Sequence, residues 1–384
     1  MKKTGFLCIG LLWGAGLMAQ PITNKKGSQY QFTVVREIGN TSVKNQANSG
    51  TCWSFSTLSF FESELQRMGK GDYDLAEMFI VRMSYYDKAV KYVRLHGKIN
   101  FGQGGAFHDP VNVIRKYGIL PETAYPGNNY GEPQINHNEV EHVLKAYLDA
   151  VLQNKNGKLS TAWDEGINGI LDAYFGKVPE NFTYNGKTYT AKSFAESLGL
   201  KGDEYVDLTS YSHHPFYSSF ILELEDNWAW DVVYNLPIDE WMRVLEHAVT
   251  NGYSVAWGAD VSDKGFSHKN GLAIMPDKDL AGMPKPSLDS IFLVPQKEKT
   301  ITQEMRQADF DNWTLTDDHG MQIVGLVKDQ NGVKYYVVKN SWGTTNNECG
   351  GYFYASEAYV KARTMNFMVH KDALPSDIRT KLKL

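Results

Sequence analysis

Cys52 stands where a polar loop gives way to a run that reads as a helix, and that placement gives its thiol a chemistry. A thiol is a strong nucleophile only as thiolate, and a helix N-terminus and a neighbouring imidazolium are the two commonest ways of favouring that form. Of the ten histidines, His319 has the most informative context, Asp317-Asp318-His319-Gly320-Met321, at the start of a strand pattern. A third group has to orient the ring, and Asn340, which ends the next strand pattern, is placed to lie beside it. Acyl transfer also needs donors for a developing oxyanion. Gln46, six residues before Cys52, supplies a side-chain amide that would act with the Cys52 backbone N–H.

Each residue has a plainer reading. A lone cysteine is ordinarily a small buried hydrophobe. Cys52 could also pair with Cys349 in an oxidising compartment. His319 alone could be a strand-end histidine satisfied by Asp317 or Asp318, Asn340 a turn residue, and Gln46 a solvated loop amide. The remaining histidines, including His213, His214 and His268, show no zinc spacing and no HExxH, so neither a metal nor a cofactor is expected. Phe101-Gly-Gln-Gly-Gly-Ala follows no strand and so does not read as a dinucleotide loop.

The elements that must position these groups can be read from periodicity. A strand pattern covers 31–38, and a loop rich in Asn, Ser and Gly runs from 39 to 51. Phe55, Leu58, Phe61 and Leu65 then recur at three- and four-residue steps until Gly69 and Gly71, which puts Cys52 at the first turn of a helix. A second helix spans 75 to about 92, and a third opens with Asp109 as cap and Pro110 in the first helical position, closing at Gly118. A helical run near 139–154, a hairpin turning at Asn185-Gly186, and a further helical run from Ala191 follow. After a helix at 238–250, strand patterns dominate, with a hairpin turn at 329–332. Helices first and strands last predict an α+β protein of two unlike lobes.

The motifs, taken together, resemble the papain-like cysteine peptidases. Gln46-Ala-Asn-Ser-Gly-Thr-Cys52-Trp53-Ser-Phe-Ser56, then His319-Gly-Met, then Asn340-Ser341-Trp342-Gly343 match that family in order and kind. The resemblance implies a two-lobe fold with the cleft between a helical and a β-rich lobe, and peptide hydrolysis through a thioester acyl-enzyme. It also implies substrate contacts from Gly104 and Gly105, together with Trp342, which would cover the His319–Asn340 contact. The chain departs from the pattern at Ser49-Gly50-Thr51-Cys52-Trp53, where a papain signature has a cysteine three residues before the nucleophile. The run from Thr344 to Tyr352, which holds Cys349, departs too.

The interval from Cys52 to His319 far exceeds the roughly 130–150 residues of papain-type chains. With 234–238 (YNLPI) and 255–261 (VAWGADV), it moves the resemblance to the bleomycin hydrolase and aminopeptidase C branch. That branch implies an aminopeptidase whose C-terminal tail occupies part of the cleft, within a hexameric homo-oligomer. The tail here ends Lys381-Leu382-Lys383-Leu384, without the terminal motif of the eukaryotic bleomycin hydrolases. The alternatives are a papain-like endopeptidase, a silent binding or assembly protein on the same scaffold, or acyl transfer to amines, against which Asn340 in the third position speaks. The expected organisation is a signal peptide at 1–19, the N-terminal strand and helical lobe at 20–127, a mixed and partly helical insertion at 128–235, the β-rich lobe at 236–370 and a tail at 371–384.

Composition is consistent with these readings. With 42% hydrophobic and 13% aromatic residues, 384 residues bury a substantial core, which excludes disordered and fibrous classes. A net charge of −5 offers no footprint for nucleic acid. Lys2 and Lys3 precede an apolar run from Gly5 to Met18, with small Ala19 ahead of Gln20 and Pro21, which is a secretory pattern. The expectation is an exported, periplasmic or secreted protein with no membrane attachment after cleavage, which also removes Cys8, and with peptides as its partners.

Overall fold

A computed structural model describes residues 22–384; the expected signal peptide, with Cys8, lies outside the described residues. The helix Cys52–Arg67 is the centrepiece. Trp53, Phe55, Leu58, Phe60, Phe61 and Leu65 carry apolar side chains round most of its circumference, and Ser54, Ser56, Thr57 and Ser63 are buried as well. A helix so composed has no face suited to water and has to run through the interior. It lies against the strand His319–Lys328. Hydroxyls and amides stitch the two together: Ser59 Oγ donates to Gln322 Oε1 over 2.6 Å and Gln322 Nε2 to Ser63 Oγ over 2.8 Å.

The helices Glu77–Arg94 and His108–Tyr117 complete the layer beside it. The third helix begins one residue before the expected cap. Asp109 is therefore inside the first turn, where its Oδ2 accepts from Ala106 N–H at 2.8 Å and from the Trp228 indole at 2.9 Å. The stretch 128–235 is shared between two cores. Its helices Asn138–Leu152, Ala162–Phe175 and Ala191–Leu198 bury Leu144, Leu148, Ile167, Leu171, Phe175 and Phe194 in the helical core. Its strands Tyr205–Thr209, Ser219–Ile221 and Val232–Asn235 extend the sheet of the other lobe.

That sheet is mostly antiparallel. From the edge just named it passes through Thr364–His370, Val255–Ala259, His319–Lys328, Lys334–Lys339 and Tyr352–Ser356. His319 pairs with Ala259, and Gln322 with Lys339, so Asn340 emerges beside the start of the His319 strand. The helix Ile238–Thr250 covers the sheet with Trp241, Val244, Leu245 and Ala248. The tail helix Ser376–Leu382 packs on this outer layer: Ile378 and Leu382 are buried there, and Asp377 is paired with Arg243. No described helix is long and apolar enough to cross a membrane.

Candidate active site

The N-terminus of the Cys52 helix meets the start of the His319 strand at a point only glycine allows. A Cβ on Gly320 would stand 2.8 Å from Ser56 Oγ and 3.4 Å from the carbonyl carbon of Cys52. The loop before the helix is pinned to the other side of the junction, since Gln46 N–H donates to Ser341 O at 2.8 Å and Gly343 N–H to Lys44 O at 3.0 Å. Gln46, Cys52, Gly104, Gly105 and His319 all line one cleft between the lobes. Asn340 lies just behind it, 2% exposed.

The direction of each hydrogen bond identifies the free atoms. Asn340 Oδ1 accepts from Ser341 N–H at 2.7 Å and lies 2.7 Å from His319 Nε2. An amide oxygen only accepts, so Nε2 carries the proton and Nδ1 of His319 is left as the basic nitrogen. Gln46 accepts from Ser341 Oγ at 2.6 Å through Oε1 and donates to Ser49 O at 2.7 Å through Nε2. One amide hydrogen of Gln46 is thereby used and the second is left over. The Cys52 N–H belongs to the first turn, where helix geometry provides no partner.

Trp342 stacks on His319 with centroids 4.6 Å apart and planes 27° apart. This stacking gives it the place of a cover over the ring. A residue not anticipated as part of the site, His268, lies edge-on to Trp342 at 5.0 Å and takes Asn340 Nδ2 on its Nδ1 at 3.2 Å. Burial holds His268 down at about 4, which keeps it neutral and able to accept. Nothing in the sequence marks it, since it stands between Ser267 and Lys269 with no periodic link to Asn340.

Burial pushes the Cys52 thiol up to about 12, with the Asp317 and Asp226 carboxylates adding to the rise and the Gly320 backbone opposing it. Burial likewise lowers the His319 imidazole to about 4, against a smaller opposing contribution from its bond to Asn340. Burial thus opposes a charge on either group alone. The helix N-terminus works against the rise at Cys52, whose side chain is only partly covered.

The glycine segment is positioned by a buried cation. Lys88 Nζ donates to Gly102 O at 2.8 Å and to Gly104 O at 2.7 Å. The Trp53 indole N–H donates to Gln103 O at 3.0 Å, tying the same loop to the residue after Cys52. Beyond the glycines the wall is built by 222–227, and Asp226, Asp317 and Asp318 also line the cleft. No residue of 371–384 does so among the described residues.

Cys52 and Cys349 are both free, so the pairing alternative does not hold. Cys349 Sγ donates instead to Asn24 O at 3.0 Å, partly buried beside Leu272 and Ile274. Away from the cleft, His213, His214 and Glu223 gather although their spacing carries no metal signature. The two Nε2 atoms lie 3.2 and 2.8 Å from separate Glu223 oxygens, an arrangement that also accounts for itself as an ion-paired surface cluster.

Comparison with known proteins points the same way as the geometry. Residues 15–384 match the Peptidase C1-like family. Aminopeptidase C of Listeria monocytogenes is 25% identical, over 93% of this chain and 86% of its own. Aminopeptidase W of Lactobacillus delbrueckii subsp. lactis is 25% identical, over 96% of this chain and 90% of its own. The crystal structure of PepW from Lactobacillus rhamnosis HN001 superposes with a TM-score of 0.68 at 21% identity, covering 91% of this chain and 84% of that one. The α+β, papain-like fold expected from the sequence is thereby shown.

Proposed function

The chain belongs to the Peptidase C1-like family, and within it we propose a cysteine aminopeptidase that works through Cys52, His319, Asn340 and Gln46. The observation that carries this reading is the orientation of His319, whose Nε2 is committed to Asn340 in the cleft that Cys52 lines. The relatives named aminopeptidase support removal of residues from a chain end.

In the proposed reaction Cys52 Sγ attacks the scissile carbonyl while its proton passes to His319 Nδ1. Neither ion is favoured alone in the buried pair, so attack and proton transfer proceed together. The oxyanion is met by the Cys52 N–H and the remaining amide hydrogen of Gln46. His319 returns the proton to the leaving amine, the carbon–nitrogen bond breaks and a thioester remains. Water then attacks the thioester, giving its proton to His319, which passes it to the departing sulfur. Gly104 and Gly105 offer backbone to the substrate on the other side.

The test compares a free aminoacyl fluorogenic amide with its N-acetylated form, in wild type and in Cys52→Ala. Hydrolysis of the free form that disappears in Cys52→Ala is expected; undiminished hydrolysis in the variant rejects the nucleophile, and equal cleavage of both forms rejects the aminopeptidase. Export rests on the pattern of 1–19 and is tested by the N-terminal sequence of the mature protein, where a retained Met1 would reject it. The homo-oligomer implied by the resemblance is tested by light scattering, and a monomer mass alone would reject it.

A further inference from the structure

The segment between the strands Ser219–Ile221 and Val232–Asn235 leaves the sheet, crosses to the helical lobe and closes one end of the cleft. It is clamped along its length. Trp228 donates to Asp109 at 2.9 Å, Lys91 Nζ donates to Ala229 O at 2.8 Å and sits 3.8 Å over the Trp230 ring, and Asn112 Nδ2 donates to Asp231 at 2.5 Å. Asn227 Nδ2 bridges Leu222 O and Asp231 O, each at 3.0 Å, and so fixes the bend of the segment.

The clamp delivers the Asp226 carboxylate against the substrate-side glycines. A Cβ on Gly104 would meet Asp226 Oδ2 at 1.8 Å, so the carboxylate occupies the space in which a side chain at 104 would begin. Its one hydrogen bond among the described residues is a long contact of 3.5 Å from Asn100. Asp317 faces the same space without a hydrogen-bond partner among the described residues, whereas Asp318 is engaged by the N–H groups of Val261 and Ser262 at 3.1 and 3.0 Å. Lys88 is the cation that acts on Asp226, but its ammonium is directed at Gly102 O and Gly104 O. The chain's own tail is not at hand to close the cleft, being docked on the Ile238–Thr250 helix with Leu384 O held by Arg379.

We propose that Asp226, seconded by Asp317, binds the free α-ammonium of the substrate and so sets how far a peptide enters before its carbonyl meets Cys52. The carboxylates do not stand as an isolated acidic cluster: they end a peptide cleft one glycine beyond the residue packed on Trp53, and both act electrostatically on the Cys52 thiol. A blocked amine would leave Asp226 facing a group that cannot answer its charge, and a peptide bound with further residues on its N-terminal side would run into the clamped wall. The inference rests on the aminopeptidase reading and names what enforces it.

The experiment measures kcat/KM for a free and an N-acetylated aminoacyl amide in wild type, Asp226→Asn and Asp317→Asn, with iodoacetamide labelling of Cys52 to report an intact cleft. Loss of a charged hydrogen bond to the ammonium is expected to lower the free-substrate value by roughly 10- to 100-fold in Asp226→Asn, with a smaller fall in Asp317→Asn. The acetylated substrate should not lose with it, so the preference for a free amine collapses. An Asp226→Asn enzyme that labels normally and keeps the wild-type preference overturns the role of Asp226 while leaving the aminopeptidase standing. A wild type with no preference removes the underlying reading. Should Asp226→Asn fail to label, Asp226→Glu decides: a displaced carboxylate should raise KM for the shortest substrates, and an unchanged KM overturns the proposal.

Discussion

His319 Nε2 lies 2.7 Å from Asn340 Oδ1, and this contact determines which nitrogen of the ring faces the cleft as a base. Asn340→Ala removes the acceptor and frees the ring to turn or change tautomer. The expected result is a fall in kcat of roughly a hundredfold with KM little changed, because misplacement by about 1 Å costs that much. An Asn340→Ala enzyme with wild-type kcat would show that Trp342 stacking alone orients the imidazole.

His268 acts on this pair from behind, through Asn340 Nδ2 at 3.2 Å. It is a positioning residue. His268→Leu should lower kcat on the order of tenfold without shifting KM, and His268→Gln, which keeps an acceptor, should recover part of it. Steady-state kinetics of both variants checks the split; equal losses in the two would mean that the role is packing.

Gln46→Ala should retain weak hydrolysis, reduced by about 10²- to 10³-fold, as expected for one lost oxyanion donor. The Ser341 hydroxyl loses its acceptor in the same variant. Gln46→Glu preserves that acceptor while removing the donor, so similar losses in both variants would assign the effect to the oxyanion.

Much of this site is legible in the sequence because its parts sit at element boundaries that periodicity marks. Cys52 opens a helix whose apolar steps are regular, and His319 and Asn340 bracket a two-strand pattern with a polar turn. The rest lies where the fold, not the local pattern, brings residues together. Asp226 reaches the cleft, and His268 the back of Asn340, across large sequence separations, and neither shows a motif of its own. The helix Ala162–Phe175 carries Ile167, Leu171 and Phe175 at four-residue steps, but Gly166 and Gly169 interrupt the pattern, and burial against the helical core outweighs that loss of propensity. Asp109 looks like a cap because the residue type suits one; from inside the first turn its carboxylate takes the Ala106 N–H and also holds Trp228.

The pH dependence should follow Asp317. Crowding by surrounding protein, with Asp226 and Asp318, raises its carboxyl to about 7, although the side chain still reaches cleft water. As pH rises through about 7 the carboxyl becomes charged and can hold an ammonium, and a substrate α-amine loses its own charge near 7.7–8.0. The kcat/KM for free substrates should therefore rise through about 7 and fall just above it. With His319 near 4 and Cys52 near 12, the pair titrates outside this window. Asp317→Asn should lose the rising limb, and a rising limb that persists there would assign it to another group.

Lys44 joins the Cys52 loop to the helical core through Glu77 and Asp74 at 2.6 Å and Glu62 at 3.4 Å, and both glutamates are buried. Lys44→Met strands those carboxylates and should cost about 3–5 kcal/mol in urea unfolding at neutral pH. Burial raises Glu77 to about 7, so its stabilising protonated form is fully present below about 4.5 and is lost as pH rises through about 7. The deficit of Lys44→Met should accordingly be smaller at pH 5.5 than at pH 8, and a deficit independent of pH would point to lost packing.

The segment from Leu222 to Asp231 begins and ends in the sheet, yet its anchors Lys91, Asp109 and Asn112 belong to helices of the opposite lobe. It is a tether across the cleft as well as a wall. Opening the lobes beside the nucleophile to admit a folded chain would have to break these bonds, so the strap favours a flexible chain end as substrate. What the enzyme can consume is decided upstream, by whatever frees a flexible peptide end narrow enough to enter.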